Sequence, residues 1–179
     1  MIMTIAITTP LQPAIVESLR AGDEVLISGQ IFTARDAAHK RLTELIENGT
    51  PLPVNLTNQI IYYTGPTPAQ PGKVIGSAGP TTSSRMDPYT PTLIKSGGIR
   101  GIIGKGNRSP EVKKALIDFG CTYFVAIGGA GALLSKSITS SEIVCYEDLG
   151  AEAIYKLSVK DFPVIVAIDT EGNSVYERL

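Results

Sequence analysis

The chain has one histidine, His39, two cysteines, Cys121 and Cys145, and no tryptophan in 179 residues, and only 6% of it is aromatic. So few thiols exclude a disulfide framework and a self-contained cysteine-ligated metal or iron-sulfur site. Charge of neither sign is in excess. Lys and Arg number 16 against 17 Asp and Glu, a net charge of -1, which removes the field that steers a protein to nucleic acid or to an anionic membrane. Long hydrophobic runs are missing too: in the opening MIMTIAITTP there is no basic leader-like region, and threonines interrupt the apolar residues well short of the roughly 20 needed to span a bilayer. The chain is therefore expected to be soluble and cytoplasmic, with no nucleic-acid or membrane partner, and to form a single domain over residues 1–179.

What is present is an alternation of strand-like and helix-like segments. MTIAITTP and DEVLISGQIF read as strands, and TARDAAHKRLTELIENG as a helix capped by Thr33 with Asp36 three residues on, an apolar stripe of Ala38, Leu42, Leu45 and Ile46, and a stop at Gly49. IIYYTG and KVIGSAGP read as further strands, TPTLIKSGG as a short helix with Pro91 in its first turn, and GIRGIIGKG as a glycine-rich strand and turn. SPEVKKALIDFG has the clearest helix signals: Ser109 as cap, Pro110 at the first position, a stripe of Val112, Ala115, Leu116 and Phe119, and Gly120 as terminator. TYFVAIGG, EIVCYED, EAIYKLSV and PVIVAID read as strands, followed by the turn TEGN and a last short run, SVYE. The pattern predicts a mixed α/β domain with a sheet at its centre.

Two nucleotide motifs are tested by the glycine-rich turns and both fail. A phosphate loop would need glycine where Ile99 stands and Ser or Thr where Gly106 follows Lys105; a dinucleotide fingerprint on Gly129 and Gly131 meets Leu134 at its third glycine. What survives is a set of cations at the ends of elements: Arg35 in the first turn of a helix, Arg85 after a strand and turn, and Lys105 after another strand. Rigid elements place binding groups there, and two guanidinium forks with one mobile ammonium suit a small dicarboxylate. The competing reading of each cation is a solvated surface charge. For the hydroxyl run Thr81, Thr82, Ser83, Ser84 the competing reading is a cap or turn. Gly104 and Gly106 on either side of Lys105 suggest a backbone free to let that side chain swing.

The runs GQIFTARDAAHKRL, GPTTSSRMDPYTP, IGKGNRS, AIGGAGALLS and YEDLGAEAIYKLSVKDFPVIVAIDTEGN, in that order across nearly the whole chain, resemble the beta subunit or C-terminal domain of class I fumarases. These are iron-sulfur hydro-lyases, a group that also includes L(+)-tartrate dehydratase. The resemblance implies a swivelling β/β/α domain, with a central mixed sheet flanked by helices, that closes on a separate alpha subunit. That partner would carry a 4Fe-4S cluster on three cysteines, in a hetero-oligomer with further self-association. By position in the matching motifs it assigns Arg35, Arg85 and Lys105 to the substrate carboxylates and Thr81 to the catalytic base, for the reversible hydration of fumarate to (S)-malate, a reaction of central metabolism. Thr82 stays open as the alternative base, and His39 is either an acid/base or a helix histidine bonded to Asp36 or a neighbouring loop. Cys121 and Cys145 are expected in or near the core. The alternatives to fumarate hydration are the tartrate dehydratase reaction and a non-catalytic module that binds small anions.

Overall fold

The computed structural model of the protein describes residues 3–127 and 134–177. In chain order its elements are β1 (Thr4–Thr8), α1 (Pro13–Ser18), β2 (Glu24–Thr33), α2 (Asp36–Glu47), β3 (Ile60–Tyr62), α3 (Thr90–Gly97), β4 (Gly101–Gly104), α4 (Pro110–Phe119), β5 (Thr122–Ala126), β6 (Ile138–Cys145) and β7 (Ile154–Ile168). Neighbours run β1-β2-β3-β4-β5-β7-β6, and β2 also pairs with β7. The first five strands in this order are parallel to one another and β7 is antiparallel to both β5 and β2. The expected mixed α/β domain is present. The expected central sheet flanked by helices is corrected in one respect: β2, β3, β4, β5 and β7 close on themselves as a five-stranded barrel, leaving β1 and β6 outside the ring.

Closure follows from the length of two strands. One side of β2 carries β1 along Glu24–Ser28 and then β3 at Phe32 and Thr33, while its other side faces β7. The 15 residues of β7 serve β6, β2 and β5 in the same way. The register between β2 and β7 slips between Ile27 and Gly29, opposite Asp161. Gly29 there has φ +110°, and a β-carbon on it would lie 2.4 Å from Thr9 Oγ1. Such a bulge bends and twists a strand pair toward closure. It also explains why EAIYKLSV and PVIVAID, expected as two strands, are one: Pro163 is accommodated beside the irregularity, where Asp161 has φ 51°.

Side chains alternate across the ring wall. Ile60, Tyr62, Ile103, Phe124, Val164 and Val166 belong to one buried cluster, which Val16 of α1 joins. Ile61, Tyr63, Ile102 and Tyr123 belong to a second cluster with Ala38 and Leu42 of α2, Leu93 and Ile94 of α3, and Val112, Ala115 and Leu116 of α4. Strands buried on both faces read as unbroken apolar runs, as these do.

Helix α4 meets its sequence signals: Ser109 Oγ accepts from the Val112 amide at 3.2 Å, Pro110 is in the first turn and Gly120 has φ 67°. Phe119, however, leaves the expected stripe and is 40% exposed. Helix α2 starts later than expected. Thr33 ends β2, where its hydroxyl accepts from the Tyr155 amide, and Arg35 occupies the cap position with no side-chain cap. Its buried residues are Ala38, His39, Leu42 and Thr43, with Ile46 packed alongside and Leu45 half-buried. KVIGSAGP is not a strand. The Thr67–Ser77 loop closes on itself instead, through Thr67 N–H to Ser77 O and Ser77 N–H to Thr67 Oγ1. SVYE forms a 3-10 turn over Val175–Glu177, and the six-residue α1 was not expected because it is too short to show a period. The Gly129 and Gly131 positions lie outside the described residues. Among the described residues no helix is long and apolar enough to cross a membrane.

Candidate functional site

Three neighbouring parallel strands, β2, β3 and β4, deliver their following loops to one edge of the barrel. That edge is where α/β proteins collect ligands. Arg35 follows β2 and Lys105 follows β4. From β3 the chain leaves through Thr64 and Gly65 and returns as residues 78–86, tied along its outgoing path. The Tyr62 hydroxyl donates to Ala78 O, Thr64 Oγ1 donates to Gly79 O at 2.6 Å, and the Thr81 amide donates to Tyr63 O at 2.8 Å. A 3-10 turn over Ser83–Met86 then presents Arg85.

The sequence-predicted residues meet through short contacts. Arg85 Nε donates to Asp36 Oδ1 at 2.9 Å and its Nη2 to Thr81 Oγ1 at 3.3 Å. The buried Ser83 hydroxyl donates to Thr81 O and accepts from the Lys105 amide, both at 3.0 Å. Arg35 lies against Gly65, where a β-carbon would fall 2.7 Å from Arg35 Cδ and 2.9 Å from Nη1. Its Nε is buried without an acceptor. Arg35 and Lys105 form no ion pair among the described residues. Burial raises the Asp36 carboxyl, but the Arg85 hydrogen bond and the charges of Arg85 and Arg35 outweigh it and hold the group below its ordinary value. Among the described residues Arg35 and Lys105 have no ion-pair partner, while Arg85 is paired with the half-exposed Asp36 carboxylate and also feels the Glu152 charge, so the edge carries an excess of positive charge.

Two expectations are corrected here. The Lys105 backbone is not free to swing. A β-carbon on Gly104 would sit 2.6 Å from Ser83 Oγ, the Lys105 carbonyl accepts from Arg108 Nη2 at 3.3 Å, and the Gly106 carbonyl accepts from the Tyr123 hydroxyl at 2.8 Å. Lys105 itself is exposed, as are Gly106 and Asn107. His39 bonds neither Asp36 nor a loop: its Nδ1 pairs with the Arg35 carbonyl at 2.8 Å, while its ring is fully buried and edge-on to Tyr63. Burial drives its pKa down to about 4, against the opposing Arg35 carbonyl and Asp36 charge. A neutral, enclosed imidazole cannot shuttle protons with solvent, so His39 belongs to the helix core. Thr82 is exposed, and no side-chain hydrogen bond of it is found among the described residues.

Asp36, Ser83, Asp87, Arg108 and Tyr123 were missed as site residues. Asp87 and Arg108 are a buried pair at 2.7 Å, and nothing in the spacing of RMD and GNR announces that they meet. A cavity of about 630 Å³ lies elsewhere, lined among others by Lys73, Val74 and Lys136, and includes none of the four predicted site residues. The strand edge, by contrast, holds the Thr81 hydroxyl and the two cations that form no ion pair among the described residues.

The family model described as fumarase C-terminus matches residues 2–179. The chain belongs to this family. It is 40% identical over 169 residues to the "Putative L(+)-tartrate dehydratase subunit beta" of Methanocaldococcus jannaschii, covering 92% of this chain and 87% of that one. It is 42% identical over 154 residues to the aerobic class I fumarate hydratase of Escherichia coli, covering 86% of this chain and 28% of that one. Against fumarate hydratase 2 of Leishmania major the identity is 39% over 158 residues, 88% of this chain and 28% of the relative. The fumarase C-terminal domain thus spans little more than a quarter of the length of these fumarate hydratases. Its relatives are hydro-lyases, and the resemblance read from TARDAAHKR and GPTTSSRMD is that of the family.

Proposed function

We propose that this fumarase C-terminal domain is the beta part of an iron-sulfur fumarate hydratase, which interconverts fumarate and (S)-malate by reversible addition of water. The observation that carries this reading is the pair of cations, Arg35 and Lys105, that have no ion-pair partner among the described residues and share a strand edge with the linked Thr81 and Arg85. Arg35, Arg85 and Lys105 bind the two carboxylates. In the dehydration direction the C3 proton of malate passes to the deprotonated Thr81 oxygen, the C3–H electron pair is held on the adjoining carboxylate and then forms the C2=C3 bond, and the C2–O pair leaves with the oxygen as hydroxide. Negative charge builds on the carboxylate next to C3 as the proton leaves. The three cations stabilise that aci-carboxylate more than the ground state, which is what accelerates a reaction. A threonine is a weak base, and the Arg85 N–H that points at Thr81 Oγ1 favours its deprotonated form.

The described residues do not fit a 4Fe-4S cluster. Cys121 is buried with its thiol pushed up by desolvation, Cys145 is half-buried and likewise raised, and no three His, Cys, Asp or Glu side chains gather among the described residues. We assign the cluster to a separate alpha subunit on which this domain closes as a swivelling β/β/α unit, in a hetero-oligomer. A cluster held by that partner would supply Lewis-acid chemistry to the site. The 40% identity over 169 residues to the Methanocaldococcus jannaschii relative supports a second reading of the substrate, L(+)-tartrate, on the same residues.

The test is capture of a cluster-bearing partner from the native host, then anaerobic assay of the complex with fumarate, malate and tartrate. Hydration of fumarate by the complex, with a colourless and inactive isolated chain, is expected. A brown, active chain with no partner after reconstitution with iron and sulfide would overturn the division of labour. Dicarboxylate binding by a chain that captures no partner would favour a non-catalytic anion module.

A further inference from the structure

Arg108 is buried to 1% side-chain exposure beside Asp87 at 14%, and its Nε has no acceptor. A buried ion pair is a weak source of net stability, so this arrangement asks for another role. Its geometry supplies one. Nη1 donates to Asp87 Oδ1 at 2.7 Å while Nη2 donates to the Lys105 carbonyl at 3.3 Å. The guanidinium lies over the Tyr123 ring at 5.1 Å, and the hydroxyl of that ring holds the Gly106 carbonyl at 2.8 Å. Asp87 Oδ2 accepts from the Ser109 amide at 3.1 Å, which ties the far end of the same loop, the cap of α4, to Asp87.

We propose that Arg108, seated on Asp87 and Tyr123, is the positioning residue for Lys105. It holds the loop backbone so that the exposed Lys105 side chain projects from a fixed root toward the substrate carboxylate. The inference rests on the reading of Lys105 as a carboxylate ligand. Arg108 itself touches no substrate: Asp87 neutralises its charge, and its part is to lower the entropy lost when Lys105 engages. A lysine ammonium also has several donors, but as a point charge it reproduces neither the spacing of Nη1 and Nη2 nor the flat contact over the Tyr123 ring, so lysine does not replace it.

Two gentle substitutions test this, because Arg108→Met would strand the Asp87 carboxylate and could unfold the chain. Tyr123→Phe removes one hydroxyl, and Arg108→Lys keeps the charge but loses the fork. In the free chain both should speed amide exchange at Lys105 by about tenfold or more while leaving α4 amides unchanged. In the assembled hydratase each should weaken binding of a competitive dicarboxylate by about tenfold, and in a Lys105→Ala background the same change should have less than about a twofold effect. Unchanged Lys105 exchange would overturn the seat. A full effect in the Lys105→Ala background would show that Arg108 acts on something other than Lys105. If the assembled wild type hydrates neither fumarate nor tartrate, the functional reading fails, and the exchange measurement still decides whether Arg108 fixes the loop.

Discussion

Ser83→Ala removes a single oxygen from the point where the Thr81 and Lys105 loops meet. Ser83 is 1% exposed, and its hydroxyl makes two hydrogen bonds, one to the Thr81 carbonyl and one from the Lys105 amide. Each is worth about 0.5–1.5 kcal/mol net, so the substitution should cost about 1–3 kcal/mol. Lys105 is exposed and Thr81 half-buried, so water can take over part of both contacts and the lower end is expected. For a chain of this size about 1 kcal/mol lowers the melting temperature by roughly 2–4 °C. A companion change sharpens the test. Gly104→Ala places a β-carbon 2.6 Å from Ser83 Oγ and 3.1 Å from both Ser83 Cβ and the Tyr123 hydroxyl, an overpacking of about 1–3 kcal/mol. Removing Ser83 Oγ first opens the tightest of those contacts, so Gly104→Ala should cost less in the Ser83→Ala background than alone. Urea unfolding of the four chains, followed by circular dichroism, measures the coupling. Strict additivity, or a Ser83→Ala midpoint equal to wild type, would refute the claim that this hydroxyl joins the two loops.

Arg85→Lys replaces the fork that spans Asp36 and Thr81 with a point charge, and kcat/KM of the assembled enzyme should fall about ten- to a hundredfold; wild-type efficiency would place Arg85 outside the site. Thr81→Val keeps the shape and removes the hydroxyl, so solvent exchange of the malate C3 proton should disappear while inhibitor binding stays near normal; exchange at the usual rate would move the base to Thr82 or to the alpha subunit. Gly65→Ala must displace Arg35, since the new carbon would lie 2.7 Å from its Cδ and 2.9 Å from Nη1; dicarboxylate affinity in the complex should drop about tenfold or more, and unchanged affinity would free Arg35 from its assigned role. His39 has a folded pKa of about 4 against an ordinary 6.5, so the unfolded chain takes up its proton first: the contribution is complete above about pH 6.5 and is lost as pH falls toward 4, on the order of 3 kcal/mol across that window. His39→Asn should flatten this part of the stability profile, and an unaltered slope would assign the pH dependence to other groups.

Local physics makes much of this protein legible in its sequence. Ser109, Pro110 and Gly120 mark α4 because caps and terminators act within one turn, and the apolar runs at residues 60–63 and 101–104 mark strands buried on both faces. Motif order was enough to bring Arg35, Thr81, Arg85 and Lys105 forward as a set. Barrel closure lay beyond that reach, because it depends on how far β2 and β7 extend past one another and on the slip at Gly29, and pairing register is a contact between distant segments. The same limit hid the partners that hold the site. Asp36 meets Arg85 across 49 residues, and Arg108 meets Asp87 across 21; neither contact leaves a periodic trace. His39 illustrates the divide within one residue. Its place on α2, one turn after Arg35, is a matter of sequence spacing, but whether it is a proton carrier or a neutral core ring is set by the Tyr63 and Tyr89 rings packed around it, because burial among them removes the water that a charged imidazole needs.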